Sequence, residues 1–146
     1  MPTAGKLASA LIFALLAFVL AATYRFDLPR EAVPGSYYGV SAMIGLLVGW
    51  RVMGPRSEGR PMATANDGLL TAVITVLIAL IYFATIEMLK RSVNELYSGP
   101  LEAVIGIFSI AGDYMARMAS PRFIATLLLG GMLGGLLAGH VGRRWP

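Results

Sequence analysis

The chain has 146 residues, of which 57% are hydrophobic and 14% charged, with a mean hydropathy of +0.71 and a formal net charge of +4. A typical soluble domain carries ~25% charged residues, so this composition excludes intrinsic disorder, argues against a water-soluble enzyme and points to an integral membrane protein. Cysteine is absent, which excludes disulfides, thiol redox chemistry and zinc–cysteine or iron–sulfur ligation by this chain.

The basic residues form no long tract. They stand in small groups between apolar runs, the pattern of membrane flanks, so a lipid bilayer is expected as the surrounding partner and nucleic acid is not. The first apolar run, Leu7 to Tyr24, contains no charged residue. At ~1.5 Å per residue it reaches about 27 Å, close to the ~30 Å hydrocarbon core. Thr3 is placed to cap its start and Arg25 marks its end. The basic flank before it is weak, with only Lys6 and the amino terminus, so the run is read as a retained span and not a cleaved signal.

Pro29 and Pro34 make residues 25 to 36 a loop, because proline lacks an amide donor and breaks helices. The second run is Tyr37 to Met53, with Trp50 and Arg51 read as interfacial anchors. A polar loop follows to Gly68, where Asn66 or Asp67 is expected to cap the next helix. The third run spans about residues 69–89. Its many β-branched side chains disfavour helix in water, but in lipid the backbone must satisfy its own hydrogen bonds. Glu87 and Arg91 are spaced for a rim salt bridge.

Gly99-Pro100 starts a different kind of segment, about residues 100–118. Glu102, Gly106, Ser109, Asp113, Arg117 and Ser120 follow helical spacing as one polar stripe. Val104, Ile105, Phe108 and Met115 cover other sides. Aspartate and arginine at a helix centre each cost ~2.5–3.5 kcal/mol to insert, which favours an amphipathic helix in the membrane interface over a fifth span. Ser120-Pro121 then begins the last run, about residues 121–142, with serine as cap and proline in the first turn.

The fold expected is therefore all-α: a polytopic membrane protein with four transmembrane helices and one interfacial helix, the alternative being five transmembrane helices. Gly131, Gly135 and Gly139 lie four apart on one face of the last run, and Ser41, Gly45 and Gly49 form a similar row on the second. Rows of small residues let helix backbones approach closely, either within the chain or against another membrane protein or a second copy. Both termini fall on one side. Lys6, Arg51, Arg56, Arg60, Arg143 and Arg144 belong to that side, and Arg25, Arg30, Lys90, Arg91, Arg117 and Arg122 to the other. The counts tie, but the acidic residues fall mostly on the second side, and cytoplasmic termini are expected.

No nucleotide-binding loop, metalloprotease motif or nucleophile elbow occurs, so neither catalytic residues nor a cofactor is expected. His140 stands alone at a helix end, where an interfacial role is expected and a metal site is not, since metal sites need several converging ligands. The candidate functional residues are the stripe Glu102, Ser109, Asp113 and Arg117. In a span they would line a path; in an interfacial helix they would face water.

The segments MPTAGKL (Met1 to Leu7), VGWRVMGPR (Val48 to Arg56), GPLEA (Gly99 to Ala103) and RRWP (Arg143 to Pro146) resemble the TrgA family. Its members are small membrane proteins of alphaproteobacteria associated with tellurite resistance. The resemblance runs the length of the chain and implies a multi-pass protein of the bacterial inner membrane. It supplies no catalytic residues. Reduction of tellurite calls for thiols or a redox cofactor, and this chain has no cysteine, so a non-enzymatic accessory or assembly component is expected. The alternative is a small transporter or channel subunit for an anion or another small solute.

Overall fold

A computed structural model of the chain describes residues 3–26, 35–94 and 98–145. Every regular element among them is helical: α1 Ala4–Phe26, α2 Tyr37–Val48, α3 Pro61–Val93, α4 Pro100–Met118 and α5 Pro121–Arg144. The proline-bearing stretch at 27–34, the outermost residues Met1, Pro2 and Pro146, and residues 95–97 lie outside the described residues.

Local sequence explains most helix boundaries. The Thr3 hydroxyl and carbonyl both accept from the Lys6 amide, at 3.4 and 3.1 Å, which caps α1. The Ser120 hydroxyl accepts from the Phe123 amide at 3.3 Å, with Pro121 in the first turn of α5. Gly99 precedes Pro100 in the same way at the start of α4. Proline suits these positions because its missing N–H would have no helical partner there.

The start of α3 differs from expectation. The helix begins at Pro61, and Asn66 and Asp67 lie within it rather than capping it. Pro61 presets a helical φ, and nothing between it and Gly68 breaks the winding. The resulting 33-residue helix is about 50 Å long, well beyond a ~30 Å hydrocarbon core.

The second run also departs from a regular span. Regular α-helix covers 12 residues to Val48, a π-helical turn follows over Gly49–Met53, and a 3₁₀ turn over Gly54–Arg56. Pro55 cannot donate to the carbonyl one turn earlier, and the chain winds wider, with the Gly54 amide donating to the Gly49 carbonyl. Arg56 repairs part of this by donating from Nη1 to the Val52 carbonyl at 2.9 Å. Among the described residues three helices, α1, α3 and α5, are long and apolar enough on their own to cross a membrane.

Packing has an inside-out character. Phe13 and Met53 are fully buried, but so are Ser9, Ser57, Thr64 and Thr71. Leu11, Leu15, Leu47, Ile81, Leu129 and Leu137 are exposed. Small and hydroxyl residues inside, with large apolar residues outside, is what lipid selects, because tails solvate leucine while packing requires close backbones. The buried hydroxyls satisfy themselves within their own helices: Ser9 donates to the Gly5 carbonyl at 2.7 Å, Thr71 to Asp67 at 2.6 Å, and Ser41 to Tyr37 at 2.8 Å.

Helices α1, α2, α3 and α5 form the bundle: α1 packs on α2 and α5, α5 on α3, and α2 closes against α3. The glycine rows sit at these seams. A Cβ at Gly45 would collide with the Phe13 carbonyl oxygen, and one at Gly49 would meet the Ser9 carbonyl oxygen at 2.6 Å. On α5, a Cβ at Gly135 would strike the Thr64 carbonyl oxygen, and one at Gly139 would meet Thr64 Oγ1 at 2.7 Å. One at Gly131 would meet Ala72 Cβ at 3.0 Å. Ser41 is buried on the same side of α2 as Gly45. Both rows are thus filled by neighbouring helices of the same chain.

Helix α4 stands outside the bundle, packed on α3. Its end reaches the bundle, where Met118 joins the cluster of Leu20, Ala21, Tyr24, Tyr37 and Phe123.

Candidate functional site

The face of α4 turned to α3 carries Gly106 and Ile110, both buried. Gly106 therefore belongs to packing and leaves the stripe. Ser120 leaves it too, being the cap of α5. The four remaining residues, Glu102, Ser109, Asp113 and Arg117, share one side of the helix and are all exposed. Next to them runs an apolar strip in which Leu101 is 73% and Phe108 75% exposed. Helix α4 thus has a packing face, an apolar face and a polar face, the layout of a helix lying where lipid meets water.

Glu102 has a structural task. Its carboxylate Oε2 accepts from the Ser98 amide at 2.9 Å and also from the Ser98 hydroxyl. This is a variant of the capping box, with glutamate in the first turn reaching back past the cap. The side-chain and backbone bonds from Ser98 hold its pKa below the ordinary value of 4.5. A carboxylate with a lowered folded pKa stabilises its helix above the unfolded pKa and loses that effect as pH falls through the folded value. Protection of the first-turn amides of α4 against hydrogen exchange, relative to their intrinsic rates, is therefore expected to fall as pH drops through the lowered folded value, and Glu102→Gln should show faster exchange at neutral pH. Equal exchange in both proteins at pH 7 would contradict the cap.

Asp113 and Arg117 form no ion pair with each other among the described residues. Burial pushes the Tyr114 hydroxyl pKa up, Glu87 adds to this, and Arg91 and Arg117 oppose it. The expected rim pair does form, with Arg91 Nε 3.3 Å from Glu87 Oε1.

An aromatic cluster that helical spacing does not reveal stands at this end. Tyr24 and Phe123 meet edge-on at 6.3 Å, and Tyr37 and Phe83 lie 4.9 Å apart. Arg25 donates to the Tyr38 hydroxyl at 3.0 Å and sits 5.5 Å from that ring's centre. The signal was available: every described tyrosine falls near this end of the apolar runs, which is how an interfacial belt reads in sequence. The Tyr24 hydroxyl is buried without a hydrogen-bond partner. A cavity of about 30 Å³ lies nearby, lined by Leu20, Tyr37, Ser41, Val76, Met118 and Phe123 among others. Ligand pockets for organic molecules are about ten times larger.

The opposite end is held together differently. The turn at Ser57 is buried between α1 and α5, so that a Cβ at Gly142 would meet the Ser57 carbonyl oxygen at 2.7 Å and one at Gly5 the Ser57 hydroxyl at 2.6 Å. Arg143 donates to the Gly59 carbonyl at 2.7 Å, and Arg56 lies 3.9 Å from Asp67. Arg51 and His140 are exposed there. No group of three or more metal-ligating side chains occurs among the described residues. No family model, curated protein or solved structure matches the chain.

Proposed function

We propose that this chain is a multi-pass protein of the bacterial inner membrane, of the TrgA type, which contributes to tellurite resistance as a non-enzymatic accessory or assembly component. The segments α1, α3 and α5 span, and the second run is the fourth span. In support of that count, the π and 3₁₀ turns continue the right-handed path of α2 through Arg56, with Gly49 at φ −58° and Gly54 at φ −50°. Together these segments approach the ~20 residues a span needs. Helix α4 lies at the interface, and the exposed apolar strip beside its polar stripe supports that placement.

The observation that carries the accessory reading over a channel is the exposure of the stripe on a helix outside the bundle. Ser109, Asp113 and Arg117 are exposed on α4, which packs on α3, while the bundle seams are closed by glycine and hydroxyl contacts. A partner protein would act on the surface left free by those seams, chiefly α4. Removing the protein from its host is expected to lower tellurite tolerance, with recovery on re-expression. Proteoliposomes of the purified chain should neither reduce tellurite nor carry it. Unchanged tolerance would refute the resistance role. Turnover or flux by the chain alone would refute the accessory role.

A further inference from the structure

The two ends of the bundle differ in charge and in aromatic type. Six of the chain's basic residues, Lys6, Arg51, Arg56, Arg60, Arg143 and Arg144, lie at the end that holds the Ser57 turn, with Glu58 and Asp67 as its acids among the described residues. That excess equals the whole formal charge of +4. Both tryptophans, Trp50 and Trp145, are at this end too. Arg56 and Arg143 are engaged, the first by Asp67 and the Val52 carbonyl, the second by the Gly59 carbonyl. Arg51, Arg60 and Arg144 are exposed and form no ion pair among the described residues.

We propose that Arg51, Arg60 and Arg144, flanked by Trp50 and Trp145, form a surface that binds the phosphate headgroups of anionic phospholipids. Guanidinium groups match phosphate oxygens in a two-pronged geometry, and indole rings settle at headgroup depth. The apolar surface beneath fits the rest of a lipid. Leu47 stands one turn before Arg51 and Leu137 two turns before Arg144, each on the same helix face as its arginine, and both are exposed. An acidic protein would match the charges but not this apolar surface directly below them. At the other end the basic residues are interspersed with acids such as Glu87, Glu102 and Asp113, so the attraction is weaker there. The inference rests on the membrane reading alone and is independent of tellurite.

The test is native mass spectrometry of the full chain released from bilayers of equal phosphatidylglycerol and phosphatidylcholine. The anionic lipid should be retained preferentially, at about fivefold per arginine at the surface. The triple variant Arg51→Gln, Arg60→Gln, Arg144→Gln should lose most of that preference, and the matching Arg→Lys triple should fall between the two, because the charge remains but the two-pronged contact is lost. The variant Lys90→Gln, Arg122→Gln at the opposite end should retain it in full. Equal retention of both lipids by the unaltered chain would overturn the proposal. So would an undiminished preference in the glutamine triple, or an equal loss in the Lys90/Arg122 variant.

Discussion

Replacing Gly135 by valine is expected to abolish the folded bundle. A Cβ there would strike the Thr64 carbonyl oxygen and come within 2.7 Å of Gly68 Cα and 3.0 Å of Gly68 N. All three obstacles are backbone atoms of α3, so no side-chain rotation relieves them. Helices α3 and α5 must separate, which also breaks the contacts at Gly131 and Gly139. Overpacking of this kind costs about 3 kcal/mol or more when backbone has to move. Gly112→Ala supplies the contrast. Nothing lies within 4 Å of a Cβ at Gly112, and alanine is the better helix former by about 1 kcal/mol. Thermal unfolding in mild detergent should show no cooperative transition for Gly135→Val and an equal or higher midpoint for Gly112→Ala. A normal transition for Gly135→Val would mean that α3 and α5 are not in this contact.

The second large effect is expected at Phe13. Its side chain is fully buried. It clusters with Met53, with Ala72 on α3 and with Ala138 on α5, and its ring lies 3.5 Å from where a Gly134 Cβ would stand on α5. One side chain thus ties three helices. Phe13→Ala removes the ring and leaves a cavity between Met53, Ala72 and Ala138. The cost is about 3 kcal/mol, the low end for such truncations, because lipid supplies no hydrophobic drive between helices and only packing is lost. Phe18→Ala is the matched control, since Phe18 faces outward and is 45% exposed. Equal midpoints for the two variants would contradict the central role of Phe13.

Most elements of this fold are readable because their boundaries rest on local chemistry. Thr3, Pro100 and the Ser120-Pro121 pair act within one turn of themselves, so spacing alone locates them. The glycine rows on α2 and α5 are equally local. Their target was harder to see. The matching row on α3, Thr64, Gly68 and Ala72, straddles a stretch that reads as polar loop, because Asn66 and Asp67 look like caps and only the position of Pro61 makes them interior. The wide turn at Gly49–Met53 was hidden for a similar reason: its cause is Pro55, beyond the apolar run itself.

The polar stripe shows the limit of periodicity. Helical spacing puts Glu102, Ser109, Asp113 and Arg117 on one side of α4, but it assigns Gly106 and Ser120 to the same group. Gly106 is taken by contact with α3 and Ser120 by the cap of α5. Glu102 turned out to be bound to Ser98. Spacing cannot distinguish a residue that serves its own helix end from one that awaits a partner. Ser109, Asp113 and Arg117 are the stripe residues that the proposed partner surface would use.

The central claim is that four segments cross the membrane and α4 does not. The absence of cysteine makes single-cysteine variants clean reporters. Glu58→Cys, Asn94→Cys, Ser109→Cys, Ala119→Cys and Trp145→Cys all lie at exposed positions and can be probed with a membrane-impermeant maleimide in sealed vesicles of one orientation. The account predicts that positions 94, 109 and 119 react from one side, and positions 58 and 145 from the other. Labelling of positions 94 and 119 from opposite sides would show that α4 crosses the bilayer and would contradict the account.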